Sequence, residues 1–200
     1  MSKITYYFAT ISPYTYLAGD RLEQVAAKHG LDIDYKPLDI MALFGSTGGV
    51  PPGQRHENRQ VHRLQEMTRQ AKKLEMPFNL KPAHWPTNMA PSSYAIISAK
   101  NHGIGGDLGK LVQLLTAACW AGEKDISQSD VIVACLAEAG YDPALADKDM
   151  AGAAEEYARN GEQAIADGAY GAPFYITADD QRFWGQDRIE DLDLYLSGKL

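Results

Sequence analysis

The first 37 residues carry the pattern that most restricts the fold of this chain. Lys3–Ala9 is rich in aromatic and β-branched residues, which predicts a strand. Pro13–His29 repeats apolar residues at helical spacing and ends at Gly30, and Leu31–Tyr35 alternates apolar and acidic residues. A strand, a helix and a strand in this order form a βαβ unit, so we expect two parallel strands joined by a right-handed crossover.

The middle of the chain, from about residue 40 to residue 169, has almost no strand pattern. We expect Phe44–Gln54 to be a flexible loop and Met76–Pro91 to be an ordered connector, because both stretches are rich in Gly or Pro. Helical spacing predicts the helices Asn58–Leu74, Ser92–His102, Asp107–Ala121, Gln128–Ala139 and Ala151–Asp167.

Strand character returns near the end of the chain. Ala172–Ala178 and Gln181–Gly185 predict two strands, and the Asp179-Asp180 pair between them indicates a hairpin turn. Asp187–Leu196 predicts a final helix. The elements therefore follow the order βαβ, a helical block, and ββα.

This order predicts the α/β fold class, with a sheet built from both ends of the chain. We expect residues 1–38 and 168–200 to form one domain around that sheet. Residues 39–167 then form a large, all-helical insertion between its two halves.

Composition and charge exclude several classes of function. The net charge is −7, so we expect no nucleic-acid partner. No apolar stretch approaches the roughly 20 residues that span a membrane, so we expect no membrane partner. The basic residues of Arg55–Lys73 alternate with Gln and Glu, and we interpret them as a solvated helix face. The histidines lack metal-ligand spacing, and no metal site is expected.

The two cysteines, Cys119 and Cys135, lie in helical patterns and form no C-x-x-C pair. We interpret each as a small buried hydrophobic residue. This cysteine usage is consistent with a reducing, cytoplasmic location, and it disfavours redox catalysis by the chain's own thiols.

Ser12-Pro13 stands where the first predicted strand ends and the first predicted helix begins. Ser is a preferred N-cap and Pro is favoured at the first helical position, so helix capping alone explains the pair. A side chain at this place also lies where the N–H groups of a helix collect partial positive charge, which favours an anion. Both interpretations stay open on these residues alone.

Several motifs along the chain together resemble the 2-hydroxychromene-2-carboxylate isomerases and their relatives, the kappa-class glutathione transferases. This family has a DsbA-like thioredoxin fold, in which a βαβ unit and a ββα unit flank a helical insertion. The motifs are SPY at Ser12–Tyr14, RLQEMTRQAKKLEMPF at Arg63–Phe78, WPTN at Trp85–Asn88, GAP at Gly171–Pro173 and FWGQDR at Phe183–Arg188.

The chain also departs from the family pattern. Glu66 and Glu75 stand where the family's long helix has Asp and Gly. The stretch Phe44–Gln54 lacks the Asn and Lys that family members usually carry there. The missing Asn and Lys concern the substrate rather than the fold.

The resemblance implies a glutathione cofactor and assigns roles to specific residues. Ser12 would be catalytic by donating a hydrogen bond to the glutathione thiolate. Trp85 and Asn88 are candidate substrate residues. The residues expected to bind glutathione are Ser12, Ala172, Pro173, Trp184, Gly185, Gln186 and Asp187. In the family, the residue matching Asp187 meets the γ-glutamyl ammonium, and the residue matching Gln186 helps to hold the γ-glutamyl carboxylate.

Most of these residues also have a purely structural explanation. Pro173 suits the start of a strand, although the resemblance predicts a cis Ala172–Pro173 bond. Asp187 and Glu190 have the spacing of a capping box. Trp85 suits the core, and Asn88 suits a helix cap. Arg188 is expected to be an ion-pair partner, and Tyr14 and Tyr16 are expected to pack.

The activity implied is a glutathione-dependent isomerisation of a 2-hydroxychromene-2-carboxylate-type aromatic catabolite, so the partner would be a small aromatic organic acid. Two alternatives remain: a kappa-class-like transferase, which consumes glutathione, and a non-catalytic thioredoxin-fold protein that binds thiols or peptides. The sequence does not decide between a monomer and a homodimer.

Overall fold

The computed structural model describes residues 3–200, and its centre is a four-stranded mixed sheet in the order β2-β1-β3-β4. β1 pairs in parallel with β2, and β3 pairs antiparallel with both β1 and β4. The predicted α/β class, a DsbA-like thioredoxin sheet with helices between its halves, is therefore confirmed. The strands are β1 (Lys3–Phe8), β2 (Asp32–Pro37), β3 (Phe174–Ile176) and β4 (Arg182–Trp184).

The first predicted helix is two helices, so Pro13–His29 as one element is wrong. Gly19 ends the first helix at a φ of +60°, where its N–H donates to the carbonyl of Tyr16. Glycine has no Cβ and adopts this conformation without steric cost. The chain turns there and begins the second helix at Arg21.

Most of the predicted helices are confirmed within two residues at each end. The prediction of a flexible loop over Phe44–Gln54 is wrong in its first part, because residues 44–47 belong to a helix that begins at Ile40. The Asp39 side chain caps this helix by accepting from the N–H groups of Met41 and Ala42. The helices are α1 (Pro13–Ala18), α2 (Arg21–His29), α3 (Ile40–Thr47), α4 (Glu57–Lys73), α5 (Ala90–His102), α6 (Leu108–Trp120), α7 (Ser129–Glu138), α8 (Met150–Ala166) and α9 (Ile189–Leu196).

β1 is the centre of the core because it is buried on both faces. Tyr6 and Phe8 pack into one cluster, which includes residues of α2, α5, α6, α7 and α9. Tyr7 packs into a second cluster, which includes residues of α1, α3 and α8. Helices of the predicted insertion thus contact both faces of the sheet. The predicted domain boundaries at residues 38/39 and 167/168 stay a prediction, and residues 1 and 2 of the first predicted domain lie outside the described residues.

Within residues 3–200, none of the helices combines the length and the apolar character that crossing a membrane requires.

We predict that Tyr7→Phe destabilises the protein. The Tyr7 hydroxyl donates to the Asp167 carboxylate at 2.6 Å and joins the central strand to the end of α8. A hydrogen bond to a charged group contributes about 1.5–3 kcal/mol, and Asp167 retains contact with solvent, so the free energy of unfolding should fall by about 1.5 kcal/mol. Urea denaturation measures this change.

Tyr175→Phe is the matched control. Tyr175 is equally buried in the adjacent strand, but its hydroxyl has no hydrogen-bond partner among residues 3–200. Its removal should leave the free energy of unfolding unchanged or raise it. Equal losses in the two variants would contradict the assigned role of the Tyr7–Asp167 bond.

Candidate active site

A cavity of about 410 Å³ opens at the end of the sheet where β1 leads into α1. This volume lies in the usual range for a small-molecule site. The lining residues are Ile11, Ser12, Pro13, Tyr14, Ile40, Met41, Phe44, Pro52, Arg55, Arg63, Trp85, Gly171, Ala172, Trp184, Gly185, Asp187 and Arg188. Both ends of the chain and the helical middle therefore contribute to one site.

Ser12 lies at this cavity and also caps α1. Its Oγ accepts from the N–H of Thr15 at 3.3 Å, which confirms the capping interpretation. The same hydroxyl donates to the carbonyl of Ala172 at 3.4 Å. That second bond is long for an O–H···O contact, so the Ser12 proton is available to a better acceptor in the cavity.

The backbone just before Ser12 is fixed by two tryptophans. The carbonyl of Ile11 accepts from the indole N–H of Trp85 at 3.1 Å and from that of Trp120 at 3.2 Å. The two indole rings also contact each other, with centroids 5.6 Å apart. A carbonyl that uses both acceptor positions has little freedom to rotate, so the position of Ser12 is well defined.

The Ala172–Pro173 bond is cis, as expected from the sequence. Ala172 lines the cavity beside Ser12, whereas Pro173 is buried behind it. A second cis bond, Trp85–Pro86, was not expected from the sequence. The Ala172 carbonyl accepts from the Ser12 hydroxyl, and both residues line the cavity.

The segment from Trp184 to Asp187 forms one wall, but not all of its residues face the cavity. Trp184, Gly185 and Asp187 line the cavity. Gln186 does not, because its side chain is buried and its Oε1 accepts from the guanidinium of Arg21. Arg21 also donates to carbonyls of α1, so Gln186 links this wall to α1, while its expected contact with glutathione stays a prediction.

The expected capping box of Asp187 and Glu190 is absent among the described residues. Asp187 lies in a short 3₁₀ turn, and α9 begins after Arg188 without a side-chain cap. The Asp187 side chain is half exposed and lies 3.5 Å from Arg188, which pairs more closely with Asp191 at 3.0 Å. Arg188 is an ion-pair partner as expected, and the Asp187 carboxylate keeps hydrogen-bonding capacity toward the cavity.

The two candidate substrate residues have different positions. Trp85 lines the cavity in addition to bonding Ile11. Asn88 is exposed and does not line the cavity, and its Oδ1 accepts from the N–H of Ala90 at the start of α5. Asn88 therefore supports the start of α5 from the position before its N-cap Met89, and its role toward a substrate stays a prediction.

Among the cavity-lining side chains that the sequence did not identify are Tyr14, Arg55 and Arg63. Tyr14 was expected to pack, and the arginines were expected on a solvated helix face. Most of α4 is exposed, but Arg63 turns into the cavity and Arg55 approaches it from the segment before α4. The residue types alone gave no signal, because the face of α4 that meets the site depends on tertiary packing.

The chain's own thiols are buried and lie outside the cavity wall. Burial raises the pKa of the Cys119 thiol to about 12 and that of the Cys135 thiol to about 11. Both thiols are therefore protonated near neutral pH, which confirms their interpretation as buried hydrophobic residues. No three His, Cys, Asp or Glu side chains within residues 3–200 form a metal-ligand cluster.

Comparison with known proteins gives consistent matches over nearly the whole chain. The DSBA-like thioredoxin domain family matches residues 3–197. A 2-hydroxychromene-2-carboxylate isomerase of Sphingobium xenophagum is 31% identical over 199 residues, covering 96% of this chain and 97% of the relative. A 2-hydroxychromene-2-carboxylate isomerase of Pseudomonas putida is 25% identical and covers 93% of this chain and 90% of its own length.

A solved structure of a 2-hydroxychromene-2-carboxylate isomerase aligns with a TM-score of 0.78 and 22% identity. The alignment covers 98% of this chain and 94% of that structure's chain. This likeness shows a shared fold along the whole length.

We predict that Gly171→Ala displaces the Trp184 side chain. A Cβ at Gly171 would lie closer to the Trp184 indole than van der Waals contact allows. Because Trp184 is half exposed, it can move toward solvent at a small cost in stability. The quenching of tryptophan fluorescence by acrylamide should therefore increase.

Gly161→Ala on α8 is the control, since nothing lies within 4 Å of its added Cβ. It should leave fluorescence quenching unchanged and raise helix stability by up to about 1 kcal/mol. Unchanged quenching in Gly171→Ala would show that the contact between residues 171 and 184 is looser than described.

Proposed function

Because the chain belongs to the DSBA-like thioredoxin domain family, and within it to the family of 2-hydroxychromene-2-carboxylate isomerases, we propose that it is a glutathione-dependent isomerase of an aromatic carboxylic acid. Membership of the family supports an isomerase activity in the catabolism of aromatic compounds. The glutathione dependence is the finer part of the proposal. The observation that supports it is that Ser12, Ala172 and Asp187 lie on the wall of one cavity.

These three residues fit a thiol tripeptide with a free amino terminus. The Ser12 hydroxyl is a hydrogen-bond donor held by a single long bond. The Ala172 carbonyl has only that same donor among the side chains of residues 3–200, so it can accept from a peptide N–H. The half-exposed Asp187 carboxylate suits an ammonium group.

Bound in this cavity, glutathione would supply a thiolate for reversible addition to a conjugated double bond of the substrate, which is the chemistry that an isomerisation about that bond requires. A free thiol has a pKa near 8.5 and is mostly protonated at neutral pH. A hydrogen bond from Ser12 to the sulfur stabilises the anion and lowers that pKa. Ser12 therefore acts as a donor to the sulfur.

Ser12 does not have the surroundings of a covalent nucleophile. No histidine lies among the cavity-lining residues, so nothing there resembles the base that activates a catalytic serine. The apolar wall of Ile40, Met41 and Phe44 instead suits an aromatic ring and excludes water from it. The cavity residues would thus bind and orient the aromatic ring and exclude water from it, and their polar contacts would favour the thiolate form of the thiol.

The direct test is conversion of 2-hydroxychromene-2-carboxylate to its ring-opened trans isomer, followed by ultraviolet absorbance. Product should form at glutathione concentrations far below that of the substrate, and all glutathione should be recovered. Consumption of one glutathione per product would identify a transferase. Binding of glutathione without product would identify a non-catalytic thiol-binding protein.

We predict that Asp187→Asn weakens glutathione binding. The substitution keeps the size of the side chain but removes the charge that would meet the γ-glutamyl ammonium. A charge-assisted hydrogen bond contributes about 1.5–3 kcal/mol, so the Kd should rise about tenfold or more. Isothermal titration calorimetry measures the change.

Asp191→Asn is the matched control, because Asp191 pairs with the same Arg188 but does not line the cavity. It should leave the Kd for glutathione within about twofold of the wild type. An unchanged Kd in folded Asp187→Asn would show that the γ-glutamyl end of glutathione does not bind at this wall.

We predict that Ser12→Ala raises the pKa of the bound glutathione thiol. Losing about 1.4 kcal/mol of differential stabilisation of the thiolate raises that pKa by about 1 unit. Turnover near neutral pH should therefore fall and should partly recover as the pH rises, because bulk ionisation then supplies the thiolate. Thiolate absorbance, titrated against pH in the complex, gives the pKa directly.

Ser98→Ala controls for the loss of a buried hydroxyl, since Ser98 is buried on α5 and donates to the carbonyl of Lys148, away from the cavity. Both variants should lose stability, but only Ser12→Ala should shift the thiol titration. An unshifted titration in folded Ser12→Ala would leave Ser12 with its capping role alone.

A further inference from the structure

The cavity wall is cationic although the chain as a whole is acidic. The chain carries a net charge of −7. The cavity wall nevertheless contains three arginines, Arg55, Arg63 and Arg188, and one carboxylate, Asp187. Arg188 is already paired with Asp191 and Asp187. The other two arginines therefore determine the charge that the cavity presents to a ligand.

Arg63 has no anionic partner within the described part of the chain. No carboxylate of residues 3–200 lies within 4 Å of its guanidinium, and the guanidinium makes no hydrogen bond to those residues. Its partial burial lowers its pKa, against an opposing effect of Tyr14, and the positive charge of Arg55 adds a smaller lowering effect. A partly buried cation without a partner is costly, so an anionic ligand would stabilise this arrangement.

Two aromatic rings hold the Arg63 guanidinium in place. Its Cζ lies 6.0 Å from the ring centroid of Tyr14 and 5.7 Å from that of Trp85. A guanidinium that rests on aromatic rings keeps its in-plane N–H donors free for a planar, two-oxygen acceptor. Trp85 is itself fixed by its bond to Ile11, so this geometry exists before a ligand binds.

Arg55 is held in a similar way. Its Nε donates to the carbonyl of Val50 at 2.7 Å, and its Cζ lies 5.7 Å from the ring centroid of Phe44. Its terminal nitrogens have no hydrogen-bond partner among residues 3–200. Two pre-positioned cations thus face one cavity, where they repel each other until an anion is bound.

We propose that Arg63, with Arg55 beside it, binds the carboxylate of the substrate and makes the enzyme selective for aromatic acids over neutral aromatic electrophiles. This inference rests on the proposed function. The ligand chemistry is a carboxylate carried on an oxygen heterocycle that is fused to a benzene ring. The carboxylate meets the two guanidinium groups, and the ring lies against the apolar wall formed by Ile40, Met41 and Phe44.

The test compares two probes that differ only in the carboxylate: chromone-2-carboxylate and chromone. Isothermal titration calorimetry with the wild type should show clearly tighter binding of the acid. Arg63→Met, which keeps much of the side chain's apolar surface, should raise the Kd for the acid about tenfold to a hundredfold. It should leave the Kd for chromone and for glutathione within about twofold.

Arg63→Lys should give an intermediate loss, because an ammonium keeps the charge without the two-point geometry. Arg59→Met is the matched control: Arg59 lies one turn earlier on α4, is exposed and does not line the cavity. It should bind both probes as the wild type does. In turnover assays, Arg63→Met should raise KM for the acid more than it lowers kcat.

Equal affinity of wild type and Arg63→Met for chromone-2-carboxylate would overturn the inference. A loss of glutathione affinity with unchanged affinity for the acid would also overturn it, by assigning Arg63 to the glycyl carboxylate of glutathione. The proposed function fails separately, if the wild type shows no glutathione-dependent turnover. Arg63-dependent binding of the acid would still identify the carboxylate site in that case.

Discussion

The site depends on one backbone carbonyl, that of Ile11. Two indole N–H groups donate to it, from Trp85 in the connector before α5 and from Trp120 at the end of α6. Ser12 is the next residue, so the helical middle of the chain determines where a residue of the sheet domain places its hydroxyl. The bonds are neutral and moderate in strength, but a buried carbonyl with both acceptor positions used is costly to move.

The remaining parts of the cavity are joined to this point by further tertiary contacts. Arg21 connects α1 to the wall that carries Asp187, by bonding both the carbonyls of α1 and the buried Gln186. Trp85 extends the network to Arg63, since the guanidinium of Arg63 lies over its ring. One set of contacts thus positions both the proposed hydroxyl donor to sulfur and the proposed carboxylate-binding arginine.

The sequence predicted those features that depend on neighbours in the chain. Ser12 at the start of α1, the cis Ala172–Pro173 bond and the βαβ and ββα units all follow from local motifs and their resemblance to a family. It did not reveal side-chain contacts between residues that are distant in sequence. The buried position of Gln186 depends on Arg21, 165 residues away, and the inward direction of Arg63 depends on Tyr14 and Trp85.

The charge of the cavity also bears on the chemistry of the proposed reaction. A thiolate that adds to a carboxylate-bearing substrate brings two negative charges into one partly apolar space, where their repulsion is stronger than in water. A single hydroxyl such as that of Ser12 stabilises the thiolate but does not offset this repulsion. Arg63 and Arg55 do, because each holds a positive charge on the same wall. Under the proposed function, an acidic protein needs its cations concentrated at the site, and aromatic rings lie against both guanidinium groups there.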